Sequence, residues 1–227
     1  MTLQEYNDIY KLPVRKSMTI TSSGGVTITN TNIVSEKMSL EKSLCSEENL
    51  RYGRCEAACF KITIADISHD FTGETLYVVQ DVETDGDGYL ITENGLYILT
   101  EDGERIILSE QEKIEAQAVI GYFKVFSDKP TNDRRWSELT CYDAMYDILN
   151  ADVATWYNGL TFPMTIKNLR DSFFTYLGIT QETVTLVNDS FVTMGGFSVV
   201  GTLSGKTVIE AICELNGCFG QITPSGT

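Results

Sequence analysis

Histidine is almost missing from this sequence: His69 is the only one in 227 residues. That excludes a metal centre built on several imidazoles. Basic residues are also scarce, with 17 Lys and Arg against 32 Asp and Glu, a formal net charge of −15. Wrapping a nucleic acid needs clustered cations that neutralise phosphates. The adjacent pair Arg134 and Arg135 stands between Asp133 and Glu138, so sequence-specific nucleic-acid binding is not expected. No run of about 20 apolar residues occurs, so no membrane span is expected. The first 16 residues, MTLQEYNDIYKLPVRK, have neither the apolar core nor the small-residue cleavage site of a secretion signal. Six cysteines, at 45, 55, 59, 141, 213 and 218, are too dilute for a disulfide scaffold. They read as mostly buried, reduced thiols of a protein made in the cytoplasm.

What remains is ordinary globular composition, 42% hydrophobic and 22% charged, in a chain long enough for one large or two modest domains. The first half reads as strands and turns. Met18–Ile20 and Val26–Ile28 alternate with Thr around Ser-Ser-Gly-Gly, a hairpin signal. Phe60, Ile62 and Ile64 alternate with Lys61, Thr63 and Ala65 to give one buried face, and Leu76–Val82 forms the next strand. Asp-Gly or Asn-Gly pairs recur at 85, 87, 94 and 102, with short strands at Tyr89–Ile91, Leu96–Leu99 and Arg105–Leu108 between them. Val119–Phe126 closes this half. Such punctuation suits a small antiparallel barrel or sandwich. Ser39–Arg54 is ambiguous: Leu40, Leu44 and Leu50 fit a short helix or a covering loop.

After Pro130 the period changes. Thr140-x-x-Asp143 resembles a capping box and predicts a helix to about Asn150, with Met145, Ile148 and Leu149 on its apolar stripe. A second helix is predicted from Thr165, just after Pro163. It carries Ile166, Leu169, Phe173 and Leu177 inward, with Gly178 as its stop and Ile179 packed back. Val184–Val187 and Phe197–Val200 read as strands. A third helix, Ser204–Leu215, is predicted to bury Val208, Ile212 and Leu215. The last nine residues, from Phe219 to Thr227, read as a strand entering a turn with no return strand. Because an open edge is a liability, a C-terminally truncated piece of a longer protein is expected.

Each constellation that resembles a reactive site departs from the pattern its chemistry needs. Gly205-Lys206-Thr207 lies between a predicted strand and helix, where a phosphate loop belongs, but the first glycine of that motif would be position 200, which is Val200. A helix N-cap at Ser204 explains the same residues. Asp81-x-Glu83-x-Asp85-Gly86-Asp87 mimics the first half of a calcium loop, yet position twelve is Thr92 instead of Glu. His69, in Ser68-His69-Asp70, reads as a turn residue. Cys55-x₃-Cys59 with Cys213-x₄-Cys218 lacks the spacing of the strong zinc motifs. Trp136, Trp156-Tyr157 and Phe173-Phe174 read as core more readily than as a sugar platform. The expectation is no catalytic, cofactor-binding or metal-binding residue, no cofactor, and no enzyme.

Three segments nevertheless carry a resemblance. They are Gly121–Leu177 (GYFKVFSDKPTNDRRWSELTCYDAMYDILNADVATWYNGLTFPMTIKNLRDSFFTYL), Ile28–Cys45 followed by Asn49–Ala58, and Leu203–Gly220. Together they resemble the N-terminal hub region of tail-tip baseplate proteins of long-tailed phages and prophages of Gram-positive bacteria. Asp81–Ser109 is the least typical part. The resemblance implies an α+β fold: an N-terminal antiparallel β-barrel, residues 1–130, followed by a smaller α/β unit, 131–227, with about three helices. It implies a virion structural protein at the tail tip, made in the host cytoplasm, that joins tail tube to tail tip. Its partners would be itself, as a homotrimer, and other tail proteins. Alternatives carried alongside are a peptidoglycan-cleaving tail-associated hydrolase and a carbohydrate-binding tail module.

Overall fold

The computed structural model describes residues 14–44, 51–84, 88–89, 92, 96–109, 115–131, 135–195 and 199–226. Its first layer is a seven-stranded antiparallel sheet. The strands in chain order are β1 (Val14–Ser22), β2 (Thr27–Thr29), β3 (Ile33–Glu41), β4 (Cys59–Ala65) and β5 (Thr75–Thr84). A two-residue and a three-residue strand follow, β6 (Gly88–Tyr89) and β7 (Ile107–Ser109), which among the described residues pair with each other. The long β8 (Glu115–Pro130) and then β9 (Trp136–Tyr142) complete the sheet, whose spatial order is β2-β1-β5-β8-β9-β4-β3.

The expected hairpin at the start is present: Ile20 faces Ile28, and the turn between them closes through Ser22 N–H to Val26 O at 2.8 Å. Period-two alternation is what puts one face inward. Ile20, Ile28, Phe60, Ile62, Ile64, Leu76, Val78, Phe123 and Leu139 are all at most 3% exposed and form a single cluster. The rings of Phe60 and Phe123 stack at its centre, 5.2 Å apart. β8 serves two neighbours, pairing with β5 up to Lys124 and with β9 from Lys124 onward.

The sheet is open and is not closed into a barrel, since β2 and β3 are its two outer strands. They are also consecutive in the chain: only residues 30–32 separate Thr29 from Ile33, so the two edges approach each other at one end. β2 is three residues long, and β3 is interrupted by a bulge in which its pairing with β4 jumps from Ile33 to Met38. Glu36 stands in that bulge at φ 60°. The sheet also runs on to Tyr142, beyond the expected division after Pro130, because β9 bridges β8 and β4.

The second layer has four helices among the described residues where about three were expected. They are α1 (Ala144–Asn150), α2 (Ala154–Asn158), α3 (Ile166–Leu177) and α4 (Gly205–Asn216). α2, barely more than a turn, is the addition. A further two-stranded ladder joins β10 (Met164–Thr165) to β11 (Val192–Thr193). Thr140 does not start α1; it lies in β9 opposite Lys61, and the cap is Asp143, whose carboxylate accepts from Met145 N–H at 3.1 Å. α3 begins and ends as predicted. Thr165 accepts from Asn168 N–H, and Gly178, at φ 68°, lets Ile179 N–H return to Phe174 O. Only a residue that tolerates the left-handed region fits there.

α4 buries Val208, Ile209, Ile212 and Cys213, while Leu215, expected inside, is 49% exposed. Val184–Val187 is not a strand. Its neighbourhood has its N–H groups satisfied by side chains instead of a ladder: Leu186 N–H donates to Asp189 and Asn188 N–H to Asn216. Residues 199–200 likewise carry no strand, and the rest of that expectation lies outside the described residues. The Ser39–Arg54 ambiguity resolves partly: Ser39 to Glu41 is the end of β3, and residues 45–50 lie outside the described residues. Of the acidic turns, Asp102-Gly103 is a turn with Gly103 at φ 84°, while 85–87 and 93–95 lie outside them.

The layers are tied by the connection from β3 to β4. Cys55 bridges Gly220 in parallel, Gly53 N–H donates to Cys218 O, and Arg54 pairs with Glu210 of α4 at 3.2 Å. Cys55 belongs to the helical core with Met145, Trp156, Phe173 and Ile212. No helix among the described residues is long and apolar enough to cross a membrane.

Candidate functional site

Gly205-Lys206-Thr207 does open a helix, as expected, but its glycine has a packing role. A Cβ at Gly205 would lie 2.0 Å from the carbonyl oxygen of Ile148, so only glycine lets α4 start against the end of α1. Gly205 N–H donates to Ala151 O at 2.8 Å, and Ser204 Oγ accepts from Thr207 N–H at 3.2 Å. The helix N-terminus is therefore occupied by the protein's own acceptors, and Lys206 leans towards Glu210. The residues serve as a cap and a helix crossing, not as a phosphate cradle.

Asp81, the first residue of the calcium-like run, lies in β5 with both oxygens engaged. Thr19 Oγ1 donates to one at 2.9 Å and Gln117 Nε2 to the other at 2.8 Å. It locks three neighbouring strands together. Residues 85–87 of that run lie outside the described residues.

His69 is partnered. Its Nε2 lies 2.8 Å from Glu74 Oε1, and its ring meets Phe71 edge-on at 4.7 Å. The hydrogen bond from His69, joined by Ser22 and by Gly24 N–H, holds the Glu74 carboxyl below the usual carboxylate range. Asp128 nearby accepts from Phe71 N–H at 3.1 Å. These groups fix the loop between β4 and β5 against the end of β8.

The four cysteines considered together for a thiolate site are divided by the fold. Cys55 and Cys213 meet in the helical core with their sulfurs 3.7 Å apart, and Cys218 is beside Cys213. Cys59 lies at the start of β4 opposite Tyr142, next to Cys141 of β9. The hydrogen bond shared with Cys55, and then burial, hold the Cys213 thiol far above the thiolate range. Burial pushes Cys141 up to about 12. Such thiols are packing groups and weak nucleophiles. Among the described residues, no group of three or more His, Cys, Asp and Glu is arranged to hold a metal ion.

The aromatics divide in the same way. Trp156 is 7% exposed, donates Nε1–H to Ser172 at 3.0 Å and packs on Phe173. A buried indole cannot serve as a sugar platform. Trp136, expected inside, is instead exposed at the start of β9. Elsewhere on the sheet and α1, exposed Phe126 meets half-buried Tyr142 and Tyr146 at 5.9 and 5.4 Å, and half-buried Tyr77 stacks on exposed Tyr122.

One feature was missed. Arg170, on α3, is 5% exposed and grips Asp189 with Nη1 at 2.9 Å and Nη2 at 3.3 Å; Nη2 also donates to Val184 O. The signal was in the sequence, since Arg170 falls at i+4 from Ile166 and three before Phe173, on the buried stripe. A cation there demands a partner. Beside it lies a cavity of about 520 Å³ between α3, α4 and the 219–223 segment, lined mainly by apolar side chains such as Phe174, Ile209 and Ile212. Arg170, the buried charge on its wall, is committed to Asp189, and Glu182, Cys213 and Cys218 also line it.

No family model matches this chain. No curated protein matches it at a significant level.

Proposed function

We propose that this chain is a structural hub module of a phage or prophage tail, joining tail tube to tail tip. The observation that carries the reading is the seven-stranded antiparallel sheet whose outer strands, β2 and β3, are linked by residues 30–32 alone. A sheet wired this way is one step from a barrel wall, and completing the wall with neighbouring copies removes its free edges. The candidate reactive groups support the same reading, because Gly205, Asp81, His69, Cys55 and Cys213 each have a packing or hydrogen-bonding duty. In this proposal three copies surround the tail axis, other tail proteins bind above and below, and the net charge of −15 keeps transiting DNA from adhering. Immunogold labelling of induced phage particles, with an antibody raised to this chain, tests it: gold confined to tail tips is expected. Labelling absent from particles, or turnover of purified peptidoglycan by the chain, would overturn it.

A further inference from the structure

β3 is an edge strand whose core-facing residues are left partly uncovered by the described residues. Met38 and Leu40 sit opposite Ile62 and Phe60 of β4, and directly opposed residues of an antiparallel pair point to the same face. Ile62 and Phe60 are each 2% exposed in the core, whereas Met38 and Leu40 are 39% and 43% exposed. Past the bulge at Glu36 the strand pairs regularly with β4 through Glu41, and no further strand pairs with its outer side among the described residues.

Its sequence specifies what would fit. Residues 36–42 read Glu-Lys-Met-Ser-Leu-Glu-Lys. Laid antiparallel on itself about Ser39, this segment sets Lys37 against Glu41, Met38 against Leu40, and Ser39 against Ser39, each charged and apolar pair occurring twice. A slip of one residue one way sets Glu36 against Glu41 and Lys37 against Leu40. A slip the other way sets Lys37 against Lys42 and Met38 against Glu41. Only the register centred on Ser39 matches charge to opposite charge and apolar to apolar on both faces.

We infer that β3 is a homotypic docking edge, at which residues 37–41 of two copies join as adjacent antiparallel strands about a two-fold axis through Ser39. The joined sheets present Met38 and Leu40 of both copies as one apolar patch on the core face. Lys37 and Glu41 form the two ion pairs on the other. Glu41 lies 3.9 Å from Lys61 of its own copy, with both side chains more than half exposed, a contact weak enough to be shared or surrendered. The inference does not rest on the tail reading. An isologous edge joins copies two at a time, so in a threefold assembly it would link two rings and leave ring closure to the β2 edge and other surfaces.

Sedimentation equilibrium of the full chain, at low and high salt, tests it with Lys37→Glu and Glu41→Lys alone and mixed in equal amounts. Wild type should dimerise, more weakly as salt rises. Each single variant should dimerise about tenfold less tightly, since both ion pairs become like-charge pairs. The mixture should regain wild-type affinity, because the heterodimer has opposite charges at both sites. A monomeric wild type, a trimer indifferent to either substitution, or a mixture no tighter than its components would each overturn the inference. An indifferent trimer would leave the tail proposal standing, and a β3 dimer in a protein absent from phage particles would do the reverse. Both positions are exposed, so circular dichroism of the variants should match wild type.

Discussion

The sheet and the helical layer hold themselves together differently. The sheet packs an apolar cluster from Ile20 to Cys141 and takes its order mainly from strand register, with Asp81 bonding across three strands near the surface. The helical layer has an apolar core of similar kind but depends on buried polar pins: Arg170 with Asp189, Asn216 with Asn188, and Asp143 at the start of α1. The difference follows from how each region satisfies its backbone. Strands pair their N–H and C=O groups with each other. The irregular stretch from 180 to 191 has no such ladder, and Asp189 and Asn216 supply acceptors in its place. Alternating hydrophobicity suffices where regular structure is continuous, and specific side chains are needed where it is not.

The largest expected test of this contrast is Arg170→Ala. It strands the Asp189 carboxylate in the interior and should cost about 3–5 kcal/mol, read from the urea midpoint. Phe60→Ala in the sheet should cost a similar amount, about 3–5 kcal/mol, through a cavity instead. The two separate on a second change. Asp189→Asn added to Arg170→Ala should recover part of the loss by removing the orphaned charge, whereas added to Phe60→Ala it should contribute its own full cost by orphaning Arg170; additivity in both cases would erase the distinction.

Gly205→Ala comes next. Its methyl would overlap Ile148 O, and forcing α4 off α1 should cost about 1–3 kcal/mol by thermal denaturation. Thr165→Ala removes the acceptor for Asn168 N–H and should cost about 1 kcal/mol.

The smallest effect concerns pH. Burial, the leading cause, raises the Asp143 carboxyl above its ordinary value, so ionising it is harder in the folded chain. Stability from this group is therefore greatest below the ordinary carboxylate range and falls as pH rises through the raised folded value. Asp143→Asn keeps the cap without the charge. It should stabilise the protein at pH 7, with the gain vanishing in acid; a loss of stability at pH 7 would show that the cap needs the full charge.

The same contrast explains what the sequence disclosed. Elements with an uninterrupted period were legible: the β1–β2 hairpin, the Phe60-Ile62-Ile64 face, and α3 and α4 with their caps. β9 was not, because its outward positions carry Trp136 and Tyr142 while inward Ser137 is polar, which blurs the alternation, and it directly adjoins a helix start. β3 was hidden because the bulge at Glu36 breaks its alternation. Val184–Val187 looked like a strand because β-branched residues are common there, but Val187 is 86% exposed and the backbone is tied to Asp189. Of the constellations weighed for chemistry, sequence separated strong spacing from weak. It could not show that Cys55 and Cys213, 158 residues apart, share one hydrogen bond.

The strap from Gly53 to Ala57 has a consequence for biosynthesis. Its anchors lie on Glu210, Cys213, Cys218 and Gly220, and Lys42 just upstream donates to Ile222 O. As the chain leaves the ribosome, this loop emerges long before the surface that receives it. Docking of the strap therefore has to wait until α4 and the residues up to 222 have been translated, whereas the strands of the sheet can pair before then.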